Sequence, residues 1–284
     1  MDRSDGQVDG SSGAARAGRA SAGHVTARAL PALAADARRA LVGAGAAVAA
    51  VAALLAVTLP AGPGGLGLDV LVRALALYAA GAWLVWRGLV SISAPHPFGR
   101  FGAANRVTLG RMAVVALLGG LVGEPALADG GPDAARWTVI VVATVSALLD
   151  AVDGALARRS GLASAFGARF DMETDAALTI VLAALVLHAG QTGAWVLAIG
   201  LMRYAFVAAS AVWPWLAAPL APSRRRQAIC VVTITALIAA LGPIVPAALA
   251  AALAGAALVL LSLSFAVDVR VLARARRAST ETSR

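Results

Sequence analysis

Long apolar stretches punctuated by Pro and Gly run through this chain from about residue 40 to residue 270. They fall at about 40–59, 70–92, 105–123, 137–156, 168–189, 192–213, 227–242 and 246–270. A helix of about 20 such residues crosses a bilayer. Lipid offers no partner to a backbone N–H or C=O, so only helices and closed barrels span it. No alternation of apolar and polar residues recurs, which argues against a barrel. The expected fold is all-α, a polytopic membrane helix bundle. Composition agrees: 60% of the 284 residues are hydrophobic, 14% are charged, and the mean hydropathy is +0.81. A soluble domain carries about 25% charged residues. The breaks hold the usual turn signals, among them Pro60-Ala-Gly-Pro63, Asp129-Gly-Gly-Pro132 and Gly242-Pro243.

The net charge of +9 rests entirely on Arg. These arginines sit in loops and at helix ends rather than on one soluble face, so no nucleic-acid partner is expected. With the N-terminus placed in the cytoplasm and the spans alternating, every one of the 24 basic residues except Arg73 and Arg136 falls at or near the cytoplasmic side. That asymmetry is the positive-inside pattern. It predicts a multi-pass protein of the cell (inner) membrane with both termini cytoplasmic. Residues 1–37, rich in Gly, Ala, Ser and Arg, read as a disordered cytoplasmic tail. Residues 38–93 read as two transmembrane helices, 94–272 as six more, and 273–284 as a basic cytoplasmic tail. Cys230 is the single cysteine, so no intrachain disulfide forms. His24, His96 and His188 have no partners at ligand spacing.

Four carboxylates stand out against the apolar background. The chain reads Asp150-Ala-Val-Asp153-Gly154-Ala-Leu-Ala157-Arg158, then Gly167, Asp171 and Asp175. Ionisable groups in or beside membrane spans are costly and mark function. Asp150 and Asp153 are i, i+3; Asp171 and Asp175 are i, i+4; each spacing puts a pair on one helix face. The 11 residues from Ser160 to Phe170 let the two helix ends face one another. The expected result is a four-carboxylate cup open to the cytoplasm. Hard oxygen ligands suit two Mg2+ or Mn2+ ions, with a substrate diphosphate completing their shells. Gly154 and Ala157 leave room beside Asp153, Gly167 extends the face of Asp171, and Arg158 can pair with a phosphate.

The pattern D-x-x-D-G-x-x-A-R-x8-G-x3-D-x3-D resembles, at every position, the signature of the CDP-alcohol phosphatidyltransferases. Asn105-Arg106-Val107-Thr108-Leu109-Gly110-Arg111 also resembles the Asn-x-x-Thr-x-x-Arg opening of that family's first core helix. The resemblance covers about 105–270 and implies a six-helix core, here preceded by two extra N-terminal transmembrane helices. It implies a membrane-embedded transferase of phospholipid biosynthesis. Such an enzyme moves a phosphatidyl or similar phospho-lipid group from a CDP-linked lipid, CDP-diacylglycerol above all, to an alcohol and releases CMP. By the same resemblance Asp150, Asp153, Asp171 and Asp175 bind two divalent metal ions, and Asp175 is the general base. Gly154, Ala157 and Gly167 make room for the nucleotide, Arg158 holds its diphosphate, and Asn105, Thr108 and Arg111 lie on the substrate side. A homodimer is also implied.

The acceptor alcohol is less constrained. Arg203 and the run Arg224-Arg225-Arg226 are candidate partners of a phosphorylated acceptor, or cations that only enforce topology. Met172 after Asp171, Ala176 after Asp175 and Tyr204 after Arg203 depart from the glycerol-phosphate branch of the family. The competing class is an ion-coupled transporter using the Asp cluster as a cation site. A carrier places its charges near the midplane, whereas these carboxylates are expected at a membrane face.

Overall fold

A computed structural model of the chain describes residues 29–58, 68–90, 100–160, 164–221 and 223–282. Among the described residues there are eight α-helices and no strand. They are α1 (Ala29–Thr58), α2 (Leu68–Val90), α3 (Ala103–Gly120), α4 (Asp133–Ser160), α5 (Ala165–His188), α6 (Leu197–Val212), α7 (Arg224–Ala240) and α8 (Ala247–Thr282). Each matches one apolar stretch of the sequence. The ends differ: α1 starts well before residue 40 and α8 runs well past 270. Leu33 and Ala37, inside the segment read as a tail, are 2% and 0% exposed. Asp36 accepts from the Phe101 amide (3.1 Å) and from Arg106 Nη2 (2.7 Å). Those tertiary contacts extend α1 through a stretch whose composition alone does not predict a helix.

Four helical segments, Pro31–Leu55, Leu68–Val90, Ala194–Val212 and Ala247–Ala278, are long and apolar enough to cross a membrane. The chain is a membrane protein on that ground. The other helices carry charged residues within their length: Arg106 and Arg111 in α3, Asp150 in α4, Asp171, Glu173 and Asp175 in α5, and Arg224–Arg226 in α7. Those charges shorten the apolar length below that of the expected spans.

α3 is central and packs on α1, α2, α4 and α5, while α5 packs on α3, α6 and α7, and α7 lies along α8. Burial against lipid gains little from hydrophobicity, so close contact decides the packing. Small residues mark it: Ala250, Ala254 and Ala257 form a buried stripe on α8. On the α1–α2 seam, Tyr78 Oη donates to the Leu41 carbonyl (2.6 Å).

The tightest seam joins α5 to α6. A Cβ at Gly200 would stand 2.4 Å from Ile180 Cα and 2.6 Å from its Cβ. Backbone gives way only by moving a helix, so Gly200→Ala is expected to destabilise the fold by about 1–3 kcal/mol, the usual cost of overpacking. Gly43→Ala serves as the control, because nothing lies within 4 Å of its Cβ position. Thermal unfolding in detergent checks the pair; equal melting temperatures for the two variants would refute the argument.

The connections put residues at two ends of the bundle. At one end Arg73 of α2 donates to the Val122 carbonyl (2.7 Å) and pairs with Glu124. Arg136 of α4 donates to the Ala128 carbonyl (3.0 Å) at the same end, and His188 meets the Glu124 carbonyl (2.8 Å). His188 is thus tied into structure, as its isolation in sequence suggested. The start of α3, the far half of α4 and the start of α5 lie at the other end.

Candidate active site

At that other end three helices each present one polar face. On α3 it is Asn105, Thr108 and Arg111, all buried. On α4 it is Ser146 and Asp150, one turn apart, and on α5 it is Gly167, Asp171 and Asp175 at four-residue spacing. α5 begins where Ser164 caps it: the Ser164 hydroxyl accepts from the Gly167 amide (3.0 Å). The cap satisfies one of the orphan amides of the first turn. Gly167 and Phe170 are therefore helical, and the connection after Ser160 is shorter than the 11 residues read from sequence. The cup accordingly sits on the second and third turns of α5 rather than at its tip.

The side chains of Asp150, Asp171 and Asp175 converge, with one oxygen of each within 4.8 Å of the others. Arg111 ties them together. Its Nη1 donates to Asp150 Oδ1 (2.8 Å) and Asp171 Oδ1 (2.6 Å), its Nη2 to Asp175 Oδ1 (2.5 Å), and its Nε to the Ser146 carbonyl (3.1 Å). The guanidinium is 1% exposed, whereas the carboxylates of Asp150, Asp171 and Asp175 are 33%, 38% and 19% exposed. Arg111 is the floor of the cup and the carboxylates are its rim.

Asp153, Gly154, Ala157 and Arg158 lie on the last turns of α4, and their side chains are outside the described residues. Asn105 Nδ2 donates to the Phe101 carbonyl (2.5 Å), and Thr108 Oγ1 donates to the Ala104 carbonyl (3.2 Å). A Cβ at Gly167 would stand 2.8 Å from Asn105 Oδ1 and 3.3 Å from Ser164 Oγ. The missing side chain at 167 thus admits Asn105 between α3 and α5.

Arg203, Arg225 and Arg226 on the acceptor side have partners of their own. Arg203 of α6 pairs with Glu173, which lies on a different face of α5 from Asp171 and Asp175. Arg225 Nη2 donates to Asp268 Oδ1 (2.5 Å) and Arg226 Nη1 lies 3.4 Å from the same oxygen, so both tie α7 to α8. The structure does not bring these arginines to the three carboxylates. It does bring Cys230 of α7, whose thiol lies 3.9 Å from Asp175 Oδ2. Nothing in the sequence marks that thiol, since it sits in an apolar stretch 55 residues from its partner.

A set of carboxylate oxygens with no sulfur or imidazole ligand fits a hard divalent cation. The donor chemistry of Asp150, Asp171 and Asp175 therefore suits Mg2+ or Mn2+, and the partly exposed rim leaves an approach to it.

The sequence profile of the family described as CDP-alcohol phosphatidyltransferase matches residues 101–281, from the turn before α3 to the end of α8. The chain belongs to that family. Its members transfer a phospho-lipid group from a CDP-linked alcohol to a second alcohol, and this chain is a transferase of that class. No curated protein and no solved structure matches it. Helices α1 and α2 precede the matched region.

Proposed function

We propose that this protein is a metal-dependent enzyme of phospholipid synthesis that acts at the cytoplasmic face of the cell membrane. It takes a CDP-linked lipid such as CDP-diacylglycerol, passes the phospho-lipid group to an alcohol and releases CMP. The observation that carries the reading is the convergence of Asp150, Asp171 and Asp175 at one end of the bundle. Asp153, on the last turns of α4, completes the metal-binding set. A divalent ion bound there supplies Lewis-acid neutralisation of the diphosphate and of the departing CMP.

The chain's own groups do the rest. Arg158 holds the diphosphate by charge-assisted hydrogen bonds, and Gly154 and Ala157 leave room for the nucleotide. Asp175 takes the proton from the attacking hydroxyl as the new phosphoester bond forms and the bond to CMP breaks. The cytoplasmic placement is supported by Arg73 and Arg136, the exceptions to the charge asymmetry, which both sit at the bundle end away from the cup. The test is incubation of the purified protein with CDP-diacylglycerol, Mn2+ and a panel of alcohols. CMP should appear only when both lipid and alcohol are present. No CMP with any alcohol, together with cation flux into proteoliposomes, would favour a carrier instead.

An acceptor without a phosphate fits best. A phosphate arriving at Arg203 competes with Glu173, and at Arg225 or Arg226 with Asp268. A free polyol or amino alcohol is expected to outperform its phosphate ester. Arg203→Ala should change the acceptor KM by less than about fivefold, in keeping with a partly exposed ion pair worth up to about 1 kcal/mol. A rise of about tenfold or more, equivalent to about 1.4 kcal/mol and seen only with phosphorylated acceptors, would put Arg203 on the acceptor phosphate.

A further inference from the structure

We infer that Arg111 is a positioning residue for the metal cup: a resident cation that holds three carboxylates in register for metal and stays beneath them when metal binds. The inference rests on the reading of the cup as a metal site and deepens it. Three observations support it. First, Arg111 joins all three helices of the cup, reaching Asp150 and the Ser146 carbonyl on α4 and Asp171 and Asp175 on α5 from its own place on α3. Second, the contacts to Asp150, Asp171 and Asp175 each use Oδ1, so one planar fork fixes the rotation of three side chains at once. Third, the guanidinium is 1% exposed while the carboxylates are open above it.

The third point separates a floor from a stopper. A cation that merely stood in for metal would sit at the mouth, where metal enters. Arg111 sits on the far side, anchored through Nε to a backbone carbonyl that metal does not displace. Without it, carboxylates with oxygens within 4.8 Å of one another repel and swing apart. The fork is particular to arginine, because a lysine ammonium is a point charge with no planar geometry. Lysine at 111 would keep the charge and lose the simultaneous hold on α4 and α5.

The test uses the full-length protein in detergent. Free Mn2+ is measured by paramagnetic resonance during titration, and melting temperatures are taken in EDTA and in saturating Mn2+. Arg111→Met is expected to weaken Mn2+ binding at least about tenfold, the lower range for loss of a group that orients metal ligands. Arg111→Lys should fall between Arg111→Met and the natural protein. The methionine variant should melt lower than the natural protein in EDTA, and the difference should widen in saturating Mn2+, because a variant that binds the ion more weakly gains less stability from it. Should Arg111→Met fail to fold, Arg111→Lys carries the same comparison. Unchanged or tighter Mn2+ binding in a folded variant would overturn the proposal, tighter binding marking Arg111 as a competitor of metal. An equal melting loss in EDTA and in Mn2+, with unchanged affinity, would also overturn it in favour of packing alone. A natural protein that binds no Mn2+ would overturn the metal reading itself, a result distinct from either.

Discussion

Asp175→Asn should lower kcat by at least about 10²-fold while leaving CDP-lipid binding largely intact, the lower range for loss of a general base. The substitution keeps the side chain's shape. Its amide oxygen can still accept from Arg111 Nη2, which holds Asp175 Oδ1 at 2.5 Å. What the amide does not do is take a proton from an incoming hydroxyl. Asp175 also differs from its neighbours in position. It is the least exposed of the three carboxylates and lies one turn deeper on α5 than Asp171, with the Cys230 thiol of α7 against its other oxygen. Asp150→Asn and Asp153→Asn should behave differently and impair metal and nucleotide binding together. Nucleotide affinity in Mn2+, measured beside turnover for each variant, separates the cases. If Asp175→Asn turns over near the natural rate, Asp175 is not the base.

The helices were legible in the sequence because lipid leaves a backbone few choices. Eight apolar stretches became eight helices, and only their ends moved. The ends moved for tertiary reasons. α1 runs back to Ala29 over residues such as Leu33, Asp36 and Ala37, which pack or bond against neighbouring helices, and periodicity in an Ala- and Arg-rich segment does not record that. The convergence of Asp150, Asp171 and Asp175 was legible too: i, i+3 spacing of Asp150 and Asp153 and i, i+4 spacing of Asp171 and Asp175 put each pair on one helix face, and the connection between the helices turns those faces toward one another. The role of Arg111 was not. Its partners are 39, 60 and 64 residues away. The Asn-x-x-Thr-x-x-Arg pattern puts Arg111 on a face with Asn105 and Thr108, but spacing alone does not tell whether that face meets a substrate or another helix. Gly167 shows the same limit. Its small size signals that something comes close, and in the structure that neighbour is Asn105.

Excess EDTA should abolish CMP release, by roughly 10³-fold or more given several kcal/mol of metal stabilisation, and Mg2+ or Mn2+ should restore it. The argument is one of charge. Asp150, Asp171 and Asp175 against Arg111 leave a formal surplus of two negative charges in the described part of the cup. A diphosphate brings more negative charge to the same place. At separations of about 4 Å and an effective dielectric constant near 20, each like-charge contact costs about 4 kcal/mol. The carboxylates therefore repel the group that a transferase of this family must hold unless cations stand between them. The oxygen-only donor set selects hard divalent ions for that place. CMP release followed through EDTA addition and metal readdition, with nucleotide affinity measured in parallel, should show binding and turnover lost and regained together. Full turnover in excess EDTA would mean that Arg111 and Arg158 carry the counter-charge unaided, and the three carboxylates would then serve to lock α3, α4 and α5 together.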